Sequence, residues 1–327
     1  MYKIYCLNNI SPEGLALLTD NYEVTENIDE ADAILVRSAD MHEMEVPANL
    51  KAVARAGAGV NNIPLDKFAE AGIAVFNTPG ANANAVKELV LAGMLLASRD
   101  IIGGVAWVRD NADDENVGKA AEKAKKQFAG GEILGKTLGV IGLGAIGKLV
   151  AQSAEALGMK VIGYDTFLSK EQMAELGVEK YDDKFEALKA ADVVIVQMPL
   201  IEGVTNNTIA KAELDAMKPT ALLVNCSRGE IVNEPDLCAA LRSGSIAGAG
   251  LDVFWNEPTH VDDEILSCPN VIVSPHSAAQ TREAVIKMAT MCVNGCLAVC
   301  KGKKWPYVAD KAVYDHPRWA GADWAEG

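Results

Sequence analysis

The sequence of 327 residues has no uninterrupted apolar run long enough to cross a bilayer, and it begins on a strand-like pattern without a basic, signal-like stretch. Basic residues are outnumbered, since 30 Lys and Arg stand against 45 Asp and Glu, for a formal net charge of −15. This charge argues against nucleic acid or an anionic membrane as a partner. We therefore expect a cytoplasmic protein that binds neither, and an anionic substrate would need a locally basic site.

The sequence also lacks the cysteine patterns of a metal or disulfide protein. Its seven cysteines are odd in number and include neither a CxxC motif nor the spacing of a zinc site, which favours reduced thiols in a reducing compartment. Cys292, Cys296 and Cys300 form a stripe at helical spacing. Because no well-placed His or acid completes a ligand set, we expect the stripe to pack against a neighbouring helix, and we predict no metal site.

The most informative motif that is present is the glycine pattern within residues 139–147. Gly142, Gly144 and Gly147 form GxGxxG between a strand-like run at residues 137–141 and a helical apolar pattern. Such glycines allow a tight turn, close approach of the backbone to a pyrophosphate, and close packing of helix on strand. The pattern predicts a dinucleotide site, and a glycine-rich turn without a ligand is the alternative.

An acidic residue at the end of the next strand-like run indicates which dinucleotide binds. The run at residues 160–164 ends at Asp165, whose carboxylate can accept hydrogen bonds from both ribose hydroxyls of NAD and would repel the extra phosphate of NADP. No Arg follows within residues 166–169 to bind that phosphate. The predicted cofactor is therefore NAD.

Short apolar runs alternate with helical patterns in two parts of the chain, which predicts an α/β fold with parallel sheets. A long apolar-periodic stretch at about 83–109 is expected to link two domains, and a helical pattern at 281–301 is expected to return to the first. We predict two doubly wound parallel-sheet domains: a Rossmann NAD-binding domain of six or seven strands, residues 103–280, inserted into a flavodoxin-like substrate domain, residues 1–102 and 281–327.

Three further segments place polar residues at or just after predicted strands, where open parallel sheets bind their ligands. Arg228 could form two hydrogen bonds to a carboxylate and polarise a neighbouring carbonyl, with a structural salt bridge as the alternative. Asp252 ends a strand, and Glu257 precedes a proline. Among the four histidines, His276 is the one whose position directly after a strand predicts chemistry.

The motifs GLGAIG, YD, NCSRG, DVFWNEP and SPHSAA together resemble, in order and spacing, the D-isomer-specific 2-hydroxyacid dehydrogenase family over roughly residues 30–300. The resemblance implies a catalytic set of Arg228, Glu257 and His276. In that set His276 is the base, Glu257 orients the ring and stabilises the imidazolium, and Arg228 binds the substrate carboxylate and C2 oxygen. The resemblance also implies a homodimer formed through the cofactor domain and the 83–109 helix.

The resemblance extends the expected NAD contacts beyond the glycine loop. The predicted contacts are Gly142, Gly144, Ala145, Ile146, Gly147, Asp165, Met198, Pro199, Cys226, Ser227, Asp252, His276 and Ala278. Two departures from the family pattern leave the contacts open in detail: Gln197-Met198 stands where a His-containing pair is more usual, and Ala278-Ala279 where Gly-Gly is frequent.

The segments at residues 35–38, 54–62, 76–82 and 135–139 make the N-terminal half most similar, within the family, to phosphoglycerate dehydrogenases. By that similarity Arg37 and Ser38 lie beside the substrate, the backbone N–H groups from Gly57 to Val60 bind its carboxylate, and Arg55 is a candidate phosphate contact. A surface position is the alternative for Arg37. The predicted substrate contacts are Arg37, Ser38, Arg55, Ala58, Gly59, Val60, Lys123, Lys125, Arg228 and His276.

The lysines of the charged segment 109–126 allow two interpretations, a solvated helix face or an anion-binding helix. Relatives often carry a Trp and a basic residue on the helix before the cofactor strand. Alignment back from Phe128 puts Lys123 at the aromatic position and Lys125 near the basic one. This departure leaves the phosphate contacts open.

The sequence thus predicts NAD-dependent oxidation of 3-phospho-D-glycerate to 3-phosphohydroxypyruvate, the first step of serine synthesis. The alternatives are a glycerate, glyoxylate or hydroxypyruvate reductase acting on an unphosphorylated acid, and an NAD-sensing, corepressor-like scaffold. After His276 we expect one helix and a tail rather than an appended regulatory domain. The tail aromatics are expected to pack against the domain or a second subunit: Trp305, Tyr307, Tyr314, Trp319 and Trp324.

Overall fold

The computed structural model describes residues 1–320, and the chain divides into two compact units. The first unit combines Met1–Ala85 with Ala279–Gly327, and the second is Val86–Ala278. The first boundary therefore lies at residue 85 rather than at the expected 102. The reason is that Val86 and its helical neighbours Val90 and Met94 are buried in the core of the second unit.

The first unit is built on a five-stranded parallel sheet. Its elements are β1 (Tyr2–Cys6), α1 (Pro12–Leu15), β2 (Tyr22–Thr25), β3 (Ala33–Val36), β4 (Ala52–Arg55), α2 (Leu65–Glu70), β5 (Ala74–Phe76) and α11 (Arg282–Cys300). The strand order is β2-β1-β3-β4-β5, and every pairing is parallel. This is the flavodoxin-like doubly wound order, so the predicted fold class of this unit is confirmed.

The long helix α11 packs inside the first unit, as the sequence predicted for residues 281–301. Its N-terminus is capped by Thr281, whose hydroxyl accepts a hydrogen bond from the Ala284 N–H. By length and composition α11 could cross a membrane, but half of its most apolar window is buried within the protein, as in a core helix. The stripe of Cys292, Cys296 and Cys300 is buried in that core, and burial raises the pKa of the Cys292 thiol to about 12.

The tail packs against the same unit. The ring centroids of Trp305 and Phe76 lie 6.3 Å apart, and the buried Trp319 donates its indole N–H to the Gly72 carbonyl at 2.8 Å. Trp324 and the rest of 321–327 lie outside the described residues. Trp305 and Trp319 therefore pack against the domain itself, as one of the two expectations for the tail had it.

The second unit is built on a seven-stranded parallel sheet. Its elements are α3 (Ala83–Ser98), α4 (Ile101–Asp110), α5 (Val117–Ala124), β6 (Thr137–Ile141), α6 (Ala145–Ala156), β7 (Lys160–Tyr164), α7 (Lys170–Ala174), β8 (Glu179–Lys180), α8 (Lys184–Ala190), β9 (Val193–Val196), α9 (Lys211–Ala216), β10 (Leu222–Asn225), α10 (Glu234–Ser243), β11 (Gly248–Leu251) and β12 (Val271–Val273). The order β12-β11-β10-β9-β6-β7-β8 reverses direction between β6 and β9, as in a Rossmann fold.

The stretch predicted as one helix over 83–109 is two helices. It breaks after Ser98, and α3 and α4 are bent by 69° relative to each other. Asp100 begins the second helix by accepting a hydrogen bond from the Gly103 N–H at 2.8 Å. None of the ten residues of α4 is buried in the described part of the chain, so its apolar side chains are exposed.

Candidate active site

The glycine loop leaves β6 at the point where the sheet order reverses, which is where doubly wound sheets bind ligands. Gly142 has a φ of +95°, and a Cβ there would lie 2.6 Å from the Gln197 carbonyl oxygen, so only glycine fits. A Cβ on Gly144 would meet nothing within 4 Å. Gly144 and Ala145 are exposed at the N-terminus of α6, whose free N–H groups suit a phosphate.

Asp165 connects this loop to the end of β7. Its Oδ2 accepts a hydrogen bond from the Leu143 N–H at 2.8 Å, and its Oδ1 accepts from the N–H groups of Phe167 at 2.8 Å and Leu168 at 3.2 Å. The side chain is only partly buried, so lone pairs remain for the ribose hydroxyls. The open glycine turn and this acid together fit a bound dinucleotide.

The next predicted cofactor residues follow β9 and β10. Met198 and Pro199 follow the buried Gln197, and neither amide atom of Gln197 has a hydrogen-bond partner within the described residues. Cys226 and Ser227 follow β10 and are buried. Burial, together with the nearby charge of Asp252, raises the pKa of the Cys226 thiol to about 12, so it remains a neutral thiol.

Asp252 holds the segment that carries His276. Its Oδ1 accepts hydrogen bonds from the Ser274 hydroxyl at 2.6 Å and the Ser277 N–H at 2.9 Å, and its Oδ2 accepts from the Ala278 N–H at 2.8 Å. The carboxylate is almost fully buried. Asp252 and Ala278, predicted separately as cofactor contacts, are therefore in direct contact with each other.

His276 and Glu257 form a hydrogen-bonded pair, with 2.5 Å between His276 Nδ1 and Glu257 Oε2. Glu257 Oε1 accepts a second bond from the Phe254 N–H at 3.1 Å. Burial favours the neutral acid, but the bond to His276, the Phe254 N–H and the charge of Arg228 outweigh it and lower the pKa of Glu257. His276 has a φ of +48°, an unusual backbone conformation of the kind that often occurs at functional sites.

Arg228 is held by the turn that follows β10. Its carbonyl accepts a hydrogen bond from Asn225 Nδ2 at 2.9 Å, and its Nη1 donates to the Ser227 carbonyl at 2.6 Å. Arg228, Glu257 and His276 thus follow β10, β11 and β12 at one edge of one sheet. Such a set can bind a carboxylate and remove a proton beside it. Sequence reasoning missed Asn225, although it ends a buried strand just before the motif arginine.

The predicted substrate residues of the first unit also follow the carboxyl ends of strands. The N–H groups of Arg37 and Ser38 donate to Asn8 Oδ1 at 2.8 and 3.1 Å, and Asn62 Nδ2 donates to the next carbonyl, that of Ala39, at 2.7 Å. Sequence reasoning missed Asn8. Its position just after β1, the strand beside β3, is a signal that could have identified it.

Arg55 is the last residue of β4, and its guanidinium lies over Gly57, where any Cβ would overlap it. Ala58, Gly59 and Val60 follow in the same turn and are at least partly exposed. The backbone of this turn is held by the buried Thr78, whose hydroxyl accepts a hydrogen bond from the Gly57 N–H at 2.9 Å.

Lys123 and Lys125 belong to the second unit, at the end of α5 and in the turn after it. Both are exposed, and Lys125 forms an ion pair with Glu122. Among residues 1–320, no group of three or more His, Cys, Asp or Glu side chains is arranged to hold a metal ion.

Known proteins resemble this chain over most of its length. Residues 91–278 match the family model described as D-isomer specific 2-hydroxyacid dehydrogenase, NAD binding domain. The D-3-phosphoglycerate dehydrogenase of Methanocaldococcus jannaschii is 39% identical over 284 residues, which are 86% of this chain and 52% of that protein. The chain therefore spans about half the length of that relative. The glyoxylate reductase of Thermococcus litoralis is 33% identical over 330 residues, covering 95% of this chain and 97% of that protein.

Solved structures show the same fold over nearly the whole chain. The TT0316 protein from Thermus thermophilus has a TM-score of 0.81 at 28% identity, covering 94% of this chain and 100% of that one. An NADPH-dependent glyoxylate/hydroxypyruvate reductase from Sinorhizobium meliloti, solved with NADP and malonate, has a TM-score of 0.79 at 28% identity, covering 94% of this chain and 97% of that one.

Proposed function

The chain belongs to the D-isomer specific 2-hydroxyacid dehydrogenase family, and we propose that it transfers a hydride between C2 of a small 2-hydroxy acid and NAD. The observation that carries this proposal is the 2.5 Å contact between His276 and Glu257 in the sheet that also bears the open glycine loop. A base oriented by a carboxylate is what oxidation of a hydroxyl group requires.

We assign a role to each of the three side chains. His276 Nδ1 faces Glu257, so Nε2 is the ring nitrogen that takes the hydroxyl proton as the C2–O bond becomes a carbonyl. Glu257 fixes the ring and stabilises the imidazolium, and Arg228 binds the carboxylate and C2 oxygen of the substrate. NAD supplies, when bound, the nicotinamide that accepts the hydride.

The preference for NAD over NADP rests on Asp165. Its carboxylate is fixed by three backbone N–H groups at the end of β7, so it cannot easily turn away from a 2′-phosphate. The related Sinorhizobium meliloti enzyme is described as NADPH-dependent, so the cofactor preference varies among proteins of this fold. Initial rates with NADH and NADPH, compared at equal concentrations, test this part of the proposal.

For the substrate we propose 3-phospho-D-glycerate, oxidised as the first step of serine synthesis. Supporting this choice are the similarity to phosphoglycerate dehydrogenases and the position of Arg37 and Arg55 at the carboxyl edge of the first sheet. The competing candidate is reduction of glyoxylate or hydroxypyruvate, which the similarity to glyoxylate reductases over nearly their full length favours. Both candidates use the same catalytic residues.

A single assay separates the two candidates. Purified protein is offered 3-phosphoglycerate and D-glycerate with NAD, and glyoxylate and hydroxypyruvate with NADH, and kcat/KM is compared. We expect 3-phosphoglycerate to have a higher kcat/KM than D-glycerate in the oxidative direction. Much more efficient turnover of D-glycerate would refute the phosphate assignment while leaving the dehydrogenase assignment intact.

Arginine and lysine variants then locate the phosphate contact. Arg55→Ala and Lys125→Ala are each expected to raise KM for 3-phosphoglycerate about tenfold, the cost of one charge-assisted hydrogen bond, and to leave KM for NAD unchanged. Lys189→Ala is the matched control, because Lys189 pairs with Glu186 at the same i,i+3 spacing on another helix. An unchanged KM would remove the tested residue from the site.

We also propose a homodimer formed through the second unit. The support is the exposed apolar face of α4, formed by Ile101, Ile102, Val105 and Val108, which are 41 to 56% exposed. An exposed apolar face of this kind usually marks a surface that packs against another protein chain. Light scattering should give the mass of a dimer, and Val105→Asp should shift it toward the monomer.

A further inference from the structure

The segment between Asp252 and Glu257 contains a tryptophan that is hydrogen-bonded at two points. The Trp255 indole Nε1 donates to the Val232 carbonyl at 2.7 Å, and the Trp255 backbone N–H donates to Glu234 Oε2 at 3.1 Å. Both acceptors lie in the chain that follows the turn of Arg228. Trp255 therefore connects the segment after β10 to the segment after β11.

The two segments also touch through the backbone. A Cβ on Gly229, the residue after Arg228, would overlap the carbonyl group of Phe254, so the chains approach more closely there than any side chain allows. The N–H of Phe254 in turn donates to Glu257 Oε1 at 3.1 Å. The carboxylate that faces His276 is thus oriented by the residue directly before Trp255.

We propose that Trp255, supported by Glu234, is a positioning residue that holds the Glu257 carboxylate in line with His276. The inference rests on the proposed dehydrogenase function. The Glu257 side chain is 36% exposed, so packing alone does not hold its carboxylate in place. The two bonds of Trp255 fix the backbone close to Glu257, and small displacements of such groups slow catalysis strongly.

The bond of the indole N–H can be removed with little change in packing. Trp255→Phe keeps an aromatic ring but leaves the Val232 carbonyl without this donor. Trp305→Phe is the matched control, because the buried Trp305 Nε1 has no hydrogen-bond partner within the described residues. For the second anchor, Glu234→Gln keeps an acceptor for the Trp255 N–H and Glu234→Ala does not. The two acidic residues whose charges act on Glu234, Asp263 and Glu264, are left unchanged in all of these variants, so they do not account for differences between them.

We expect Trp255→Phe to bind NADH as the parent protein does, measured by fluorescence titration, and to lower kcat by roughly threefold to tenfold, the range for one lost hydrogen bond. The acid limb of its kcat/KM profile should move to lower pH, because a displaced Glu257 stabilises the imidazolium less. Glu234→Ala should behave in the same way, whereas Glu234→Gln and Trp305→Phe should retain the parent profile.

A second measurement does not depend on turnover. The protein has four histidines, so the imidazole signals can be followed by NMR at one pH and the signal of His276 assigned with His276→Asn. The Nδ1 signal of His276 should shift in Trp255→Phe, because the hydrogen bond to Glu257 is displaced, and should stay in place in Trp305→Phe. An unchanged signal in a folded, NADH-binding Trp255→Phe protein would overturn the inference. A parent protein that oxidises no 2-hydroxy acid would overturn only the proposed function.

Discussion

Replacing Glu257 by Gln removes one charge from the candidate active site and leaves its shape almost unchanged. Gln can still accept a hydrogen bond from His276 Nδ1, so the ring can keep its orientation. What is lost is the attraction between a carboxylate and the imidazolium formed when the substrate proton is taken. The change therefore separates the electrostatic role of Glu257 from its orienting role.

The size of the effect follows from the contact itself. A hydrogen bond to a charged group contributes about 1.5 to 3 kcal/mol. The side chains of His276 and Glu257 are 46% and 36% exposed, which places this pair at the lower end through solvent screening. About 1.4 kcal/mol corresponds to one pH unit, so the acid limb of kcat/KM should move down by roughly one unit.

The sign of this shift depends on Glu257 being charged where the enzyme works. Burial alone would raise the pKa of Glu257. The bonds from His276 and from the Phe254 N–H lower it by more, so the pKa in the folded state lies below the ordinary value of a glutamate. Because this pKa is lowered, the carboxylate is ionised across the neutral and alkaline range of the assay. The stability that the pair contributes is present above the unfolded-state pKa of Glu257 and is lost as pH falls through the folded-state pKa.

The assay measures the initial rate of NADH formation at a saturating and at a limiting concentration of the 2-hydroxy acid, from weakly acidic to alkaline pH. Glu264→Gln is the control, because Glu264 lies in the same stretch of chain but pairs with Arg242. His276→Asn should abolish turnover at every pH while NADH still binds. If the acid limbs of Glu257→Gln and the parent protein coincide, the carboxylate does not stabilise the imidazolium and the assigned role is wrong.

Three further changes test other parts of the second unit. Gln197→Leu should raise the stability of the cofactor-free protein by about 1 kcal/mol in urea unfolding, since it removes a buried amide without partners among the described residues; a loss of stability would contradict this. Asp165→Ala should weaken NADH binding in calorimetry and lower the melting temperature, because the Leu143 N–H loses its acceptor; unchanged binding would exclude a cofactor role. Gly229→Ala should destabilise the protein by about 2 kcal/mol or more, because its Cβ would overlap Phe254, and wild-type stability would show that the contact relaxes.

Several central strands could be predicted to the residue from the sequence. Ala33–Val36 and Val193–Val196 are buried throughout and have the bounds of their apolar runs, and Thr137–Ile141 and Lys160–Tyr164 also have the expected bounds. A strand covered by helices on both faces must be apolar throughout, so its ends coincide with the ends of the run. The confirmed fold class follows from these strands and the glycine motif.

Two edge strands were missed for the complementary reason. β2 carries an exposed Glu23, and β8 consists of Glu179 and Lys180 alone. An edge strand pairs on one side only, so it keeps polar residues and gives little apolar signal. The break between α3 and α4 was also missed, although Asp100 followed by Gly103 is a recognisable start of a new helix.

For the site, the sequence identifies which residues lie at strand ends but not what they hold. Asp165, Asp252 and Asn8 each stand at a carboxyl edge, and each accepts hydrogen bonds from two or three backbone N–H groups, at least one of them in a neighbouring loop. Every residue except proline has a backbone N–H, so a sequence motif does not reveal which N–H groups donate these bonds. They fix the glycine loop, the His276 segment and the Arg37 turn.

This arrangement explains why the proposed catalytic set was easier to locate in the sequence than the substrate contacts. The loops that bear Arg228, Glu257 and His276 are held by hydrogen bonds within the second unit, so the places of these side chains follow from sequence position. A phosphate contact depends instead on where a long exposed side chain such as that of Lys125 comes to lie. Nothing in a strand-end pattern specifies that position, so the choice between phosphorylated and unphosphorylated acid rests on kinetics with matched substrates.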